Sequence, residues 1–156
     1  MMDVLRYANW VCFTLILIIA MWQDVKMRRI KNEVNVAGVV LGILFALILP
    51  EREVLPAIAG LFALLAVGIL CWRLKFFRAG DAKLLCVVGA FLEWKMGLNV
   101  LLLAIILGAL FGEPLVIRRI VKKEEGLTQF PFSIAIGAAC VIGIRFGYIW
   151  EWLKFM

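Results

Sequence analysis

Two aspartates, Asp24 and Asp81, are the residues of this chain whose type and spacing best fit catalytic chemistry. Asp24 closes the first apolar segment and Asp81 opens the fourth, and the chain's remaining aspartate is Asp3. When two carboxyl groups approach closely, like-charge repulsion prevents both from ionising, so the pair shares one proton. One member is then a base for water and the other an acid for a carbonyl oxygen. Such a pair can hydrolyse a peptide bond without a metal or a cofactor.

The residues that the chain lacks exclude the other common hydrolytic sites. There is no histidine, which excludes a Ser-His or Cys-His hydrolase and an HExxH metalloprotease. Ser133 is the single serine, and no glycine-rich phosphate loop occurs. The four cysteines lie far apart within apolar segments, with no CxxC pair, and are typical of small buried hydrophobes. We therefore expect no metal and no cofactor.

Composition predicts the class of protein that must position the two aspartates. Apolar residues make up 65% of the chain and the mean hydropathy is +1.04, values typical of an integral membrane protein. With about 20 residues for each span, 156 residues form about six helices and a single membrane-embedded domain, 1–156. We predict an all-α, polytopic bundle with the apolar segments Val4–Trp22, Val34–Leu49, Val54–Trp72, Ala82–Trp94, Met96–Ile117 and Leu127–Trp150.

The positions of the basic residues predict the orientation of this bundle. Twelve of the 17 lysines and arginines fall in the first, third and fifth loops, which share one side of a six-helix bundle. By the positive-inside rule these loops are cytoplasmic and both termini lie outside. Topology and contact with anionic lipid headgroups then account for the net charge of +6, so we expect membrane lipid and no nucleic acid as a partner.

This topology places Asp24 and Asp81 at the cytoplasmic face, where they could meet. The fourth segment is short: if Glu93, Trp94 and Lys95 mark the outer interface, the roughly 14 residues back to Asp81 cover about 21 Å, against a hydrocarbon core of about 30 Å. Asp81 would then lie below the interface, where an ionisable group marks a functional site. Two simpler interpretations remain open: that Asp81 is a helix N-cap, and that Asp24 forms a surface ion pair with neighbouring basic residues.

Three stretches of the sequence carry a resemblance to a known family. They are Asp24 with Arg29-Ile30-Lys31-Asn32, then Ala79-Gly80-Asp81-Ala82-Lys83-Leu84, and last Phe130-Pro131-Phe132 with Ile134-Ala135-Ile136-Gly137. Together they resemble the type IV prepilin peptidases, membrane aspartyl proteases named for a GxGD motif. The resemblance implies that Asp24 and Asp81 are the catalytic pair. It also implies supporting roles for Gly80, Lys83, Asn32 and Pro131. The implied substrates are prepilins of the bacterial cytoplasmic (inner) membrane, cut on its cytoplasmic side after a short basic leader and just before the substrate's apolar helix.

The chain departs from the family pattern at three places. Arg78 replaces the first motif glycine, and Lys31 replaces the usual proline before Asn32. Asn32 itself is retained, and we expect the second helix to start there. The cysteine-paired cytoplasmic region of the longer, bifunctional members is absent. The resemblance therefore implies a short form, similar to those of tight-adherence pilus systems, that acts on pseudopilin or Flp-type precursors and lacks N-methyltransferase activity.

Several alternatives stay open at the level of sequence. Glu113 is a third carboxylate near the predicted site, either paired with Arg118 or Arg119 or in contact with substrate. Gly38 and Gly42 have the GxxxG spacing that lets helices approach closely, within one chain or in a homo-oligomer. Besides a peptidase, the chain could be a catalytically silent membrane partner with the same fold, which the departure at Arg78 favours. A small transporter ranks last, because the outer halves of the segments hold few polar residues.

Overall fold

The computed structural model describes the backbone of residues 2–74, 78–121 and 132–154 and the side chains of 2–74, 78–110 and 132–145. Over these residues all the regular secondary structure is α-helical, as predicted. The five helices are α1 (Met2–Met27), α2 (Asn32–Ile48), α3 (Val54–Arg73), α4 (Ala79–Val121) and α5 (Phe132–Lys154). Asn32 begins α2, where the sequence predicted a helix start. Helix α4 begins at Ala79, three residues before the predicted Ala82, because the RAGD turn already forms its first turn.

Helix α4 contains the boundary that the sequence placed between its fourth and fifth segments. Glu93 has non-helical backbone angles (φ 61°, ψ 176°). A Cβ atom built on Gly97 would lie 3.8 Å from the Cα atom of Gly89, whereas eight residues of continuous helix would separate them by about 12 Å. The chain therefore reverses at Glu93, and α4 consists of an N-terminal segment (79–92) and a C-terminal segment (94–121).

Contacts between helices define two ends of the bundle. At the end that we call the Asp24 end, the side chains of Asp24 and Ser133 are hydrogen-bonded to each other. At the Glu51 end, Arg6 at the start of α1 pairs with Glu51, beyond the end of α2. Successive helical segments run between these ends in alternating directions: Gly68 of α3 packs on Ala82 of α4, and Gly60 packs on Gly89. This alternation agrees with a polytopic bundle.

Within the part of the chain that the structure describes, three helices are long and apolar enough to cross a membrane: Met2–Met27, Val54–Arg73 and Ala79–Leu110. The last of these contains the reversal at Glu93. The described apolar helices Asn32–Ile48 and Phe132–Arg145 are shorter. Large apolar side chains such as Leu15, Leu47 and Phe62 are exposed on the outside of the bundle, as expected for a protein surrounded by lipid. The six membrane crossings and the location of both chain termini outside the cell stay predictions.

The N-terminal segment of α4 is the centre of the bundle. Every residue from Asp81 to Leu92 except Lys83 is buried. The predicted small-residue contacts bring α2 against this segment: a Cβ atom on Gly38 would lie 2.7 Å from Val87 Cγ1, and one on Gly42 would lie 2.9 Å from Ala90 Cβ. Gly38 and Gly42 therefore pack helices within one chain, which settles one of the alternatives that the sequence left open. Helices α2 and α3 therefore both pack on the segment that carries Asp81.

Candidate active site

Asp24 lies in the last turns of α1, on the face that packs into the bundle. Its side chain is 3% exposed, so the predicted alternative of a surface ion pair is wrong. Its Oδ2 atom accepts a hydrogen bond of 2.6 Å from the hydroxyl of Ser133, a fully buried residue in the first turn of α5. Hydrogen bonds to a carboxylate of this length are among the strong ones. The contact joins the end of the first helix to the start of the last.

Asp81 is the third residue of α4 and is 2% exposed. Its Oδ2 atom accepts a hydrogen bond of 3.1 Å from the backbone N–H of Arg78, and its own N–H donates to the Arg78 carbonyl. This reciprocal arrangement caps the helix from inside its first turn, which is the carboxylate half of a capping box. Asp81 is therefore not the N-cap residue that the sequence suggested, because the helix starts before it. Its second oxygen, Oδ1, is buried without a hydrogen-bond partner.

Arg78 lies between the two carboxyl groups. Its backbone contacts Asp81, and its guanidinium Nη1 atom lies 3.7 Å from Asp24 Oδ1 and 3.3 Å from the carbonyl oxygen of Arg28. Arg78 thus contacts both aspartates, Asp81 through its backbone N–H and Asp24 through its guanidinium group. Positive charge favours ionised carboxylates and therefore works against a proton shared by the two aspartates. The Arg78 guanidinium does not point away to the lipid headgroups but towards Asp24. The site is consequently asymmetric, with positive charge beside one aspartate.

The loop between α1 and α2 is fixed to the same site. Arg28 adopts a left-handed conformation (φ 52°) and donates its N–H to the Asp24 carbonyl, which ends α1. The side chain of Gln23 accepts a hydrogen bond of 2.9 Å from the backbone N–H of Lys31. This contact restrains the loop at the position where the family pattern has a proline. The chain thus replaces a rigid residue with a side-chain hydrogen bond.

The supporting residues that the sequence predicted are brought together in part. Lys83 Nζ donates a hydrogen bond of 2.8 Å to Asn32 Oδ1, which links the first turns of α2 and α4 on an exposed surface. A Cβ atom on Gly80 would meet Ile30 at 3.6 Å, an ordinary contact. Pro131 and the side chain of Glu113 lie outside the described residues.

Ser133 is the site residue that sequence reasoning missed. The residue type suggested a nucleophile, for which the chain has no histidine, and not a hydrogen-bond donor to an aspartate. Two signals pointed to it: it is the chain's single serine, and it follows directly after the Phe130-Pro131-Phe132 motif. Ser133 and Asp24 are 109 residues apart in the sequence, and a contact between residues so far apart cannot be predicted from a local sequence pattern.

The fold and the site define a helical membrane protein with a buried pair of aspartates at one end of its bundle. The family model described as the type IV leader peptidase family matches residues 11–112. Since the match covers most of the chain, the protein belongs to the type IV leader peptidase family. Both aspartates, Gly80, Lys83 and Asn32 fall within the matched range, whereas Ser133 lies beyond it. No curated protein and no solved structure gives a significant match.

Proposed function

We propose that this protein is a membrane aspartyl endopeptidase that removes the short leader from type IV prepilin-like precursors, of the pseudopilin or Flp type. Cleavage takes place at the cytoplasmic face of the bacterial inner membrane, and the whole chain is one membrane-embedded peptidase domain without methyltransferase activity. The observation that carries the proposal is the burial of Asp24 and Asp81 at one end of the bundle, with Arg78 in contact with both. Family membership supports the same activity.

The contacts of the two aspartates support different roles in the reaction. Asp24 receives a hydrogen bond from Ser133 and lies beside the Arg78 guanidinium, and both contacts stabilise a negative charge. Asp81 has an oxygen, Oδ1, that is buried without a partner and is available to hold a proton. We therefore assign Asp24 as the base that takes a proton from water and Asp81 as the acid that gives a proton to the scissile carbonyl oxygen. The water oxygen bonds to the carbonyl carbon in the same step.

Collapse of the tetrahedral intermediate then breaks the peptide bond. The leaving amine takes the proton that Asp24 received from water, while Asp81 recovers its proton from the hydroxyl of the intermediate. Each carboxyl group returns to its starting state, so one turnover consumes one water molecule. Ser133 touches neither water nor substrate in this scheme, and we assign it as a positioning residue that orients Asp24.

The alternative, a catalytically silent membrane partner, draws on a specific observation. Arg78 replaces the first motif glycine and its guanidinium lies 3.7 Å from Asp24. If that charge holds Asp24 in a permanent ion pair, the fold could serve assembly without catalysis. In that case both aspartates could be replaced without consequence for the protein's role.

The test is cleavage of co-expressed candidate prepilins, read as a mobility shift, by the wild type and by Asp24→Asn and Asp81→Asn at matched membrane levels. We expect either change to lower cleavage by at least about a thousandfold, since each removes one partner of a two-residue reaction. Asp3→Asn is the matched control, because Asp3 lies at the Glu51 end with an 80% exposed side chain. Loss of cleavage in all three variants, or in none, contradicts the assignment.

A further inference from the structure

Asn35 is a buried polar residue that the proposed reaction does not use. It lies in the first turns of α2 and is 5% exposed. Among the residues that the structure describes, three buried side-chain polar atoms lack a hydrogen-bond partner: Asp81 Oδ1 and both the oxygen and the nitrogen of the Asn35 carboxamide. Burial of an amide without partners destabilises a protein. An amide kept in this state indicates that a partner binds there from outside the chain.

The register of the helices places Asn35 close to the two aspartates. Asn32, one turn earlier in α2, hydrogen-bonds Lys83, and Gly38, one turn later, packs on Val87. Asn35 is therefore level with the part of α4 between Lys83 and Val87, about one helical turn, or ~5.4 Å, deeper in the bundle than Asp81. Because Asn35 shares its buried face with Gly38, which contacts both Val87 and Ile16, it faces the interior between α1 and α4.

The substrate of the proposed reaction needs the groups that this amide offers. A peptide bond inside a helix has to be unwound before water can attack it, and in an apolar surrounding each freed N–H and C=O then needs a new partner. A carboxamide has one acceptor oxygen and an N–H donor, which match the N–H and C=O of a peptide group. An extended chain advances about 3.3–3.6 Å per residue, so a group ~5.4 Å deeper than the aspartates lies one or two residues from the scissile bond.

We propose that the Asn35 carboxamide binds a backbone peptide group of the substrate, one or two residues after the scissile bond. Residues after that bond begin the substrate's apolar segment and extend into the membrane, which is the direction in which Asn35 lies. The inference rests on the proposed peptidase function and adds to it a binding site for the unwound substrate backbone. It does not depend on the side chains of the substrate, so it fits an enzyme that cuts several related precursors.

The first test compares wild type with Asn35→Leu, which has a similar volume and no polar group. We expect kcat/KM for a prepilin substrate to fall by about tenfold to a hundredfold, as for the loss of a buried hydrogen bond. The midpoint of thermal unfolding should rise at the same time, because an unpartnered amide has been removed from the interior. Asn9→Leu is the matched control: Asn9 is 4% exposed and accepts a hydrogen bond from Arg52, so its loss should lower that midpoint.

The second test alters the substrate. In synthetic substrates, one backbone amide at a time is replaced with an ester, which removes the N–H, at the first or second residue after the scissile bond. At one of these positions the ester should lower kcat/KM for the wild type and have no further effect on Asn35→Leu. Equal ester effects in both enzymes at both positions, or an Asn35→Leu enzyme that is less stable and fully active, would overturn the proposal. A wild type that cleaves no substrate refutes the proposed function instead.

Discussion

Both ends of the bundle bury polar side chains, and they differ in how those groups are satisfied. At the Glu51 end, Arg52 donates hydrogen bonds to Asn9 Oδ1 (3.2 Å) and to the carbonyl oxygen of Ala90 (2.8 Å). Burial lowers the pKa of the Arg52 guanidinium, and the charge of Glu93 opposes that shift. At the Asp24 end, by contrast, an oxygen of Asp81 and the amide of Asn35 have no partner.

This difference distinguishes polar groups that stabilise the fold from polar groups that are available to bind another molecule. The Ala90 carbonyl lies in the last turn before the reversal at Glu93, where helix carbonyls lose their usual partners, and Arg52 supplies a donor there. No buried side-chain atom of Arg52 or Asn9 lacks a hydrogen-bond partner, and paired groups of this kind stabilise the fold. Unpaired groups cost stability, so a protein keeps them where an external molecule completes the pairing. The comparison therefore predicts that loss of the paired contacts at the Glu51 end acts mainly on stability, whereas changes to the buried polar groups at the Asp24 end act mainly on cleavage.

The largest effect on stability is expected for Arg52→Met. Methionine retains an unbranched apolar side chain and leaves the Ala90 carbonyl and Asn9 without their donor. We expect the free energy of unfolding to fall by about 2–4 kcal/mol, the cost of buried groups left unpaired, with unchanged cleavage per folded molecule. Denaturant titration in micelles, together with a cleavage assay on the folded fraction, measures both.

Arg6→Met is the matched control for this prediction. Arg6 also lies at the Glu51 end, but its side chain is 52% exposed and its partners are Asp3 and Glu51 at the surface. A surface ion pair contributes only about 0–1 kcal/mol, so this variant should remain close to wild type. Equal losses of stability in both variants would show that the Arg52 cluster has no special structural role.

Ser133→Ala is expected to act mainly on catalysis. The change removes the hydroxyl that orients Asp24, and a hydrogen bond to a charged group is worth about 1.5–3 kcal/mol, which corresponds to a decrease in kcat of about tenfold to a hundredfold. KM should change little, because Ser133 does not contact substrate in the proposed mechanism. Ser133→Thr keeps the hydroxyl and should retain more activity than Ser133→Ala. An unchanged kcat, or a change confined to KM, would remove the positioning role.

The membrane class and the helical architecture were predictable from composition, and local motifs singled out Asp24 and Asp81. The structure places both aspartates buried at one end of the bundle, and their catalytic role stays a prediction. The start of α2 at Asn32 was also predictable, although Asn32 does not cap the helix: the N-cap residue is Lys31, which makes no side-chain cap hydrogen bond, and the Asn32 side chain binds Lys83. The reversal at Glu93 was foreseen as a boundary between segments. Its backbone geometry was not, because a non-glycine residue with positive φ depends on tertiary contacts such as that of Arg52 with Ala90.

The partners within the site could not be predicted from the sequence. Ser133 and Asp24 meet because α1 and α5 pack together at one end, and no local pattern encodes that contact. The direction of the Arg78 side chain was equally inaccessible, since a long cation beside a membrane can point to the headgroups or towards a buried carboxylate. Asn35 gave no signal either: an asparagine near the start of a helix is ordinary, and its unpaired burial is visible only in the packed bundle.

A smaller effect is expected for the hydrogen bond between Lys83 and Asn32. It joins the starts of α2 and α4 at the Asp24 end but lies on an exposed surface. We expect Lys83→Met to lower the free energy of unfolding by about 0.5–1.5 kcal/mol, the usual contribution of a single hydrogen bond. Asn32→Ala completes a double-mutant cycle, in which the two losses should not add. Additive losses would mean that the bond contributes nothing to stability.

The smallest structural effect is expected for Gly80→Ala, although Gly80 belongs to the motif that carries the family resemblance. Gly80 lies in the first turn of α4 with no positive φ, and a Cβ atom there would meet Ile30 at 3.6 Å, so the free energy of unfolding should stay within about 1 kcal/mol of wild type. Gly89→Ala is the contrasting control, since its Cβ atom would lie 2.3 Å from the Gly60 carbonyl oxygen. Destabilisation by Gly80→Ala as large as that by Gly89→Ala would contradict the geometry. Loss of cleavage in a stable Gly80→Ala protein would instead show that the substrate backbone approaches this glycine, which would place Gly80 in the substrate site beside the unpaired oxygen of Asp81.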